Sequence, residues 1–177
     1  KIAKLLDQVV SYNPDLVGFS CYMWNVNVLR ELARILRERM PEMDILWGGP
    51  EIATDYLCQG KYDDFEADFC ISGEGELTFL ELLRNLTHGT PELSSIRGLS
   101  FRKRGRCPFT INDKRIPFKS LLEIPSPFLT GVVDDEVLYR PKVQGNIETQ
   151  RGCNLRCSYC IYHKDMDRVS YSNVDRT

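Results

Sequence analysis

The feature that most constrains the fold is an alternation. Three short runs, LVGFSC (16–21), DILWGG (44–49) and ADFCISG (67–73), are almost wholly apolar, and helical periodicity lies between them. Strands apolar on both faces belong to a parallel sheet covered on both sides, because the crossover helices bury each face. Residues 1–12 place Ile2, Leu5, Leu6, Val9 and Val10 at helical spacing, and Asn13-Pro14-Asp15 stops that helix. Asn25 or Asn27 is positioned to cap a second helix with Val28, Leu29, Leu32, Ile35 and Leu36 on one face, ended by Pro41. Pro50 opens a short helical stretch to about Leu57, and EGELTFLELLRNLTHG forms a further helix with glutamates in its first turn and Gly89 as its stop. RGLSFRKRGRCPFTIND reads as a hairpin. The fold class is therefore α/β, a doubly wound Rossmann-like parallel sheet over residues 1–115.

In such a sheet, ligands bind beyond the carboxyl ends of the strands. The segments expected there are Ser20-Cys21-Tyr22-Met23-Trp24-Asn25, Gly48-Gly49-Pro50 and Ser72-Gly73-Glu74-Gly75-Glu76. Glycines let a large flat ligand approach the backbone and aromatic side chains can wall it, although tight βα turns use glycine regardless. No G-x-G-x-x-G opens a helix and no phosphate-loop lysine is present, so dinucleotide and triphosphate readings fail. Glu74 and Glu76 also put carboxylates where a phosphate would sit. Residues 116–145, with Pro117, Pro125, Pro127, Pro141 and the acidic patch Asp134-Asp135-Glu136, read as a linker. GNIETQ (145–150) follows as a strand, opening a second domain over 146–177.

The formal charge of −2 makes no electrostatic case for nucleic acid. Its one basic knot, Arg102-Lys103-Arg104-Gly105-Arg106, reads as a solvated hairpin tip. Seven cysteines, an odd number without a secretory leader, point to a reduced, cytoplasmic compartment and to thiols as core residues or ligands. Cys21, Cys58, Cys70 and Cys107 read as small buried hydrophobes.

The other three cysteines share one loop. In ETQRGCNLRCSYCIYH (148–163), Cys153, Cys157 and Cys160 are spaced C-x3-C-x2-C. A structural zinc site takes four protein ligands, whereas three thiolates leave a cluster iron open to a substrate or cofactor. His163, three positions after Cys160, leaves a structural Cys3His zinc site as the alternative, in a chain that would then be a cobalamin- or partner-binding module. A redox pair of Cys157 and Cys160 leaves Cys153 unexplained.

RGCNLRCSYC, after its Glu-Thr-x-Arg-Gly lead-in and with Tyr159 before the last cysteine, resembles the cluster loop of the radical S-adenosylmethionine (SAM) superfamily. PDLVGFSCYMWN, WGGPE and ISGEGE are similar to the cobalamin-binding-like domain that precedes the radical core in the Fe–S oxidoreductase subgroup, which includes the anaerobic magnesium-protoporphyrin monomethyl ester cyclases. The resemblance implies that Cys153, Cys157 and Cys160 hold a 4Fe–4S cluster whose fourth iron binds SAM, with Tyr159 against its adenine. Ser20, Gly48, Gly49 and Gly73 would line a corrinoid. It further implies a SAM-cleaving radical enzyme of oxidoreductase, cyclase or methyltransferase type, a small-molecule substrate and an electron donor such as ferredoxin or flavodoxin. A methylthiotransferase is the neighbouring reading, in which Cys21, Cys58 and Cys70 would supply a second cluster.

Three departures qualify the resemblance. The subgroup's D-x-H-x-x-G corrinoid motif does not occur, since His88 and His163 are the only histidines and neither fits it. The chain opens on a helix where a doubly wound sheet opens on a strand, so the first strand and its loop are expected upstream. Few residues follow Cys160, and the family's SAM-binding Gly-Gly-Glu stretch is absent. The expectation is a fragment, inert by itself, carrying only the start of a partial βα barrel.

Overall fold

The computed structural model describes residues 2–102, 108–155, 157–160 and 169–171. The chain divides into two compact units, Lys1–Arg115 and Ile116–Thr177.

The first unit runs α1 (Ile2–Tyr12), β1 (Leu16–Ser20), α2 (Val26–Arg39), β2 (Asp44–Gly48), α3 (Thr54–Cys58), β3 (Phe69–Ile71), α4 (Glu76–His88), β4 (Leu99–Phe101) and β5 (Thr110–Ile111). The sheet has strand order β1-β2-β3-β4-β5. β1, β2 and β3 are parallel, while β4 and β5 add the hairpin antiparallel. Residues 103–107, the expected hairpin tip together with Cys107, lie outside the described residues.

Both sheet faces are covered, as the doubly wound class requires. Along β2, Ile45 and Trp47 turn to one face and Leu46 to the other, the two-residue period of a strand. On the first face Leu6 of α1, Leu32, Ala33 and Leu36 of α2 and Leu57 of α3 pack with Ile45, Trp47 and Cys70. On the second, Leu82 of α4 packs with Leu46, Phe69, Ile71 and Leu99. Burying each large side chain contributes about 2 kcal/mol, so these two layers are the principal stabilising term. The fully buried Trp47 keeps its indole N–H satisfied by donating to the Glu66 carbonyl at 2.8 Å.

Three charged side chains brace this core. Asp68, 3% exposed, accepts from the Ile45 amide at 2.8 Å and pairs with the Arg37 guanidinium, which also donates to the Met43 carbonyl at 2.6 Å. Arg102 donates to the carbonyls of Ala67 and Asp63, both at 3.0 Å, and of Phe65, and its guanidinium lies 4.2 Å from the Phe109 ring centroid. The first residue of the basic knot is thus an internal clamp and not part of a solvated tip.

Other local expectations are corrected. α3 begins at Thr54 and not at Pro50, because the amides of Glu51 and Ile52 are committed to the carbonyls of Cys21 and Gly49. Cys58 is exposed, since Leu57 is the inward residue of α3. Gly89 ends α4 at φ 77°, as the sequence suggested.

In the second unit, the Pro-rich stretch holds compact local structure. Ser120 and Glu123 form a reciprocal capping box on a single 3₁₀ turn, Leu121–Glu123. Asp134 caps α5 (Asp135–Leu138) by accepting from the Glu136 amide at 2.9 Å, which explains the acidic patch as helix-start chemistry. The expected strand over 145–150 is shorter: β6 is Gln150–Arg151, paired antiparallel with β7 (Ser170–Tyr171), because only these two residues find a ladder partner among the described residues.

Candidate functional site

The carboxyl ends of β1 and β2 meet in register, with Ser20 opposite Gly48. Beyond them the two loops fuse backbone to backbone. The Cys21 amide donates to the Gly48 carbonyl at 2.7 Å, and the Glu51 amide donates to the Cys21 carbonyl at 3.2 Å. Gly49 makes this possible: its φ is 101°, and a Cβ there would lie 2.6 Å from the Cys21 oxygen and 2.7 Å from its nitrogen. Only glycine tolerates both the conformation and the approach.

The next turn is held by a side chain. Asn25 occupies the cap position of α2 but makes no bond to the helix start, contrary to the expected capping role. It reaches back instead, accepting from the Tyr22 amide at 2.8 Å and donating to the Ser20 carbonyl at 3.1 Å. The staple presents Tyr22 and Trp24 as a stacked pair, ring centroids 4.7 Å apart and 13° from parallel, with Trp24 75% exposed. An exposed aromatic pair beside a glycine edge is a surface suited to a flat ligand.

At the end of β3, Gly73 has φ 80° and no atom within 4 Å of where a Cβ would stand, so the space above it is open. Beside it the Ser72 hydroxyl oxygen is buried without a hydrogen-bond partner among the described residues. The edge is therefore flat, aromatic on one flank and open at Gly73, and it carries one unspent polar group. These features fit a large planar cofactor such as a corrinoid. Ser20, Gly48, Gly49 and Gly73 lie at the strand ends or in the loops just after them, with Ser20 exposed. Sequence reading placed Asn25 and Ser72 in the loops expected at this edge but gave neither a contact with the ligand; the S-x-x-x-x-N spacing from Ser20 to Asn25 was the available signal for the first, and the position after the third strand for the second.

Nearby thiols are chemically quiet. Burial, with the Glu51 carboxylate second, pushes the Cys21 thiol up to about 11. Burial pushes Cys70 up to about 12. Both are neutral near pH 7 and unsuited to ligation. With Cys58 exposed on α3, the three thiols do not form the second cluster site that a methylthiotransferase reading needs. His88 ends α4, a helix that starts at the ligand edge and runs away from it, about 18 Å along at 1.5 Å per residue. It faces no ligand at that edge. His163 lies outside the described residues.

In the second unit the three loop thiols are each partly exposed. Cys153 Sγ accepts from the Leu155 amide at 3.4 Å. Cys157 and Cys160 are joined by a turn, with the Cys160 amide donating to the Cys157 carbonyl at 3.0 Å. Tyr159 is 90% exposed. The donor set fits an iron–sulfur cluster, but among the described residues no three His, Cys, Asp or Glu side chains converge on one metal position. The loop brings its thiols close in sequence without gathering the sulfurs. No described helix is long and apolar enough to cross a membrane.

Comparison with known proteins agrees with this geometry. Residues 1–83 match the B12 binding domain family. The chain is 31% identical over 166 residues to the cobalamin-dependent radical SAM methyltransferase TokK of Streptomyces tokunonensis, an alignment covering 90% of this chain and 23% of the relative. It is 25% identical over 171 residues to the anaerobic magnesium-protoporphyrin IX monomethyl ester cyclase of Synechocystis, covering 89% of this chain and 31% of that one. Its fold superposes on the solved structure of the cobalamin-dependent SAM radical enzyme OxsB with a TM-score of 0.68 at 18% identity, over 99% of this chain and 24% of that one. The chain thus spans between about a quarter and a third of the length of these relatives. The chain is thus similar over residues 1–83 to the B12 binding domain and, over most of its length, to the cobalamin-dependent radical SAM methyltransferase and, more weakly, to the magnesium-protoporphyrin cyclase.

Proposed function

We infer that this chain is the cobalamin-binding part, and residues 146–177 the start of the radical core, of a cobalamin-dependent radical SAM methyltransferase acting on a small molecule. The observation that carries the reading is the occurrence in one chain of a B12-family domain with a flat glycine edge and, after it, a C-x3-C-x2-C loop. The methyltransferase outcome is favoured over the cyclase outcome because the methylating relative is the more similar of the two.

In this reading Ser20, Gly48, Gly49 and Gly73 line the corrinoid, and Tyr22 and Trp24 wall it. Cys153, Cys157 and Cys160 hold the 4Fe–4S cluster, and Tyr159 lies against the adenine of SAM. When bound, the cluster supplies the electron for cleaving the sulfonium and the corrinoid supplies a cobalt able to carry a methyl group. The chain's own residues do the rest. The Gly49–Cys21 junction and the Asn25 staple keep the edge flat, the aromatic pair excludes water from one flank, and the Ser72 hydroxyl offers a hydrogen bond to a ligand polar group. An electron donor such as ferredoxin or flavodoxin completes the system in a reducing compartment.

Anaerobic reconstitution of the full-length protein with iron and sulfide, with and without hydroxocobalamin, tests this. About four irons per chain, by cluster stoichiometry, and retained corrinoid support it. One zinc per chain and no iron would replace it with a binding module closed by a structural zinc site.

A further inference from the structure

The turn after β3, open at Gly73, is held by a side-chain cluster that has no part in the ligand contacts already assigned. Ser72 enters the turn with its amide donating to the Gly98 carbonyl at 3.0 Å. α4 leaves it at Glu76, and the Phe79 amide donates to the Gly75 carbonyl at 2.8 Å. Thr78, fully buried in the first turn of that helix, donates its hydroxyl to the Arg97 carbonyl at 2.8 Å. Arg115 closes the arrangement. Its Nε donates to Thr78 Oγ1 at 2.7 Å and to the same Arg97 carbonyl at 3.1 Å, while its Nη2 pairs with Glu81 further along α4. The Arg115 side chain is only 13% exposed, so its donors are turned inward.

Gly98 joins this tether to the turn. Its φ is 79°, and a Cβ there would lie 3.0 Å from Thr78 Oγ1, 3.3 Å from Arg115 Cβ and 3.3 Å from the Ser72 carbonyl oxygen. The backbone of the turn and the two side chains therefore close on the same glycine, with no slack between them. The Gly98 amide is committed as well, donating to the Asp113 carbonyl at 2.8 Å. A displacement of Thr78 or Arg115 is passed to Ser72, and it is taken up at Gly73, whose Cβ position has nothing within 4 Å.

We propose that Thr78 and Arg115 are positioning residues of the ligand edge, setting where the Ser72–Gly73 turn stands against a bound corrinoid. The proposal rests on the corrinoid reading of this edge. Because Thr78 is fully buried, it acts on binding through the turn and not by contact. Thr78→Val keeps the shape and removes the hydroxyl. Arg115 still reaches the Arg97 carbonyl and Glu81, so the fold stands while the start of α4 loses its tether. Lysine is no substitute for Arg115, since one ammonium cannot reproduce the planar donors that face Thr78, Arg97 and Glu81 together.

The test uses the full-length protein and measures hydroxocobalamin affinity by equilibrium dialysis, with urea unfolding and far-UV circular dichroism on the same samples. The variants are Thr78→Val, Thr78→Ser, Arg115→Lys, Gly73→Ala, each of Thr78→Val and Arg115→Lys combined with Gly73→Ala, and Leu6→Ala, a core truncation on the opposite sheet face. Thr78→Val and Arg115→Lys should each bind about fivefold more weakly, and each loss should shrink below about twofold on the Gly73→Ala background, the non-additivity of residues acting through one another. Thr78→Ser, which restores the hydroxyl, and Leu6→Ala, which lowers stability elsewhere, should stay within about twofold of wild type. Wild type that binds hydroxocobalamin, with Thr78→Val and Arg115→Lys matching it, overturns the positioning role alone. So do losses that multiply in full with Gly73→Ala, or a Leu6→Ala loss equal to that of Thr78→Val, because either marks a general effect on the fold. Wild type that binds no hydroxocobalamin overturns the corrinoid reading and the positioning role with it. Where Thr78→Val loses its secondary structure, Arg115→Lys decides in the same cycle.

Discussion

Gly49→Ala should be among the most damaging single-methyl substitutions in the first unit, and the loss can be worked from its two causes. At φ 101° an L-residue is strained, a cost of about 2 kcal/mol. The added Cβ would stand 2.6 Å from the Cys21 oxygen, far inside the 3.4 Å at which ordinary contact begins, and the neighbour is backbone. Relief requires the loops to part, weakening the Cys21-to-Gly48 and Glu51-to-Cys21 hydrogen bonds at about 1 kcal/mol net each. The total is about 4 kcal/mol, against roughly 5–15 kcal/mol for a whole domain. Gly73→Ala is the matched control: it too has a positive φ, 80°, but nothing lies within 4 Å of its Cβ, so it should cost only about 1–2 kcal/mol. Urea unfolding of the two variants, followed by circular dichroism, separates conformation from contact. Equal losses would refute the argument, because the backbone approach at Cys21 would then carry no energy. The order should reverse for ligand: Gly73→Ala fills the open space and should weaken hydroxocobalamin binding tenfold or more.

Asp68→Ala leaves the largely enclosed Arg37 without its buried partner and frees the Ile45 amide, so unfolding stability should fall by about 3–5 kcal/mol; a loss below 1 kcal/mol in urea unfolding would contradict the brace. The thiols of Cys21 and Cys70 are raised from 9.0 to about 11 and about 12. The folded state therefore holds these protons more tightly than the unfolded state, and their contribution to stability is complete below about pH 8.5, the unfolded thiol range. It should fall as pH rises from there toward 12, with a smaller slope in Cys21→Ala/Cys70→Ala; a stability–pH curve unchanged by the substitutions would speak against it. Iodoacetamide at pH 8 should label exposed Cys58 while sparing both, read by mass spectrometry of the native protein. Replacing any one of Cys153, Cys157 or Cys160 by Ala in the full-length enzyme should abolish SAM cleavage, and retained cleavage in all three would remove the cluster assignment.

Much of the first unit was legible because its strands and helices differ in period, and both periods survive in a single sequence. Val17, Ile45 and Phe69 announce strands, and the helical spacing of Leu29, Leu32 and Leu36 announces α2. What could not be read depends on partners distant in sequence. Asn25 looked like a cap because Asn usually is one, yet the carbonyl of Ser20 and the amide of Tyr22 compete successfully for its side chain. Arg102 looked like part of a charged surface because nothing in its neighbourhood names the carbonyls of Asp63, Phe65 and Ala67. Pro50 suggested a helix start by local rule, and a hydrogen bond to Cys21 overrode it. At the candidate site the residue types were readable, since glycine and thiol spacing are sequence properties. The Ser72 hydroxyl, buried without a partner among the described residues, is a property of geometry.

The junction at Cys21 also bears on how the ligand edge moves. Binding loops are usually drawn from the least stable part of a protein, opening by local fluctuation while the core stays closed. Here the Cys21 amide is tied to the end of β2, whose inner residues Ile45 and Trp47 are fully buried, and the Glu51 amide is tied to Cys21 itself. Their hydrogen-exchange protection should approach that of the core, so that the edge opens only when the sheet does. A planar cofactor would then meet a surface already in its bound shape, and its departure would be timed by dissociation alone.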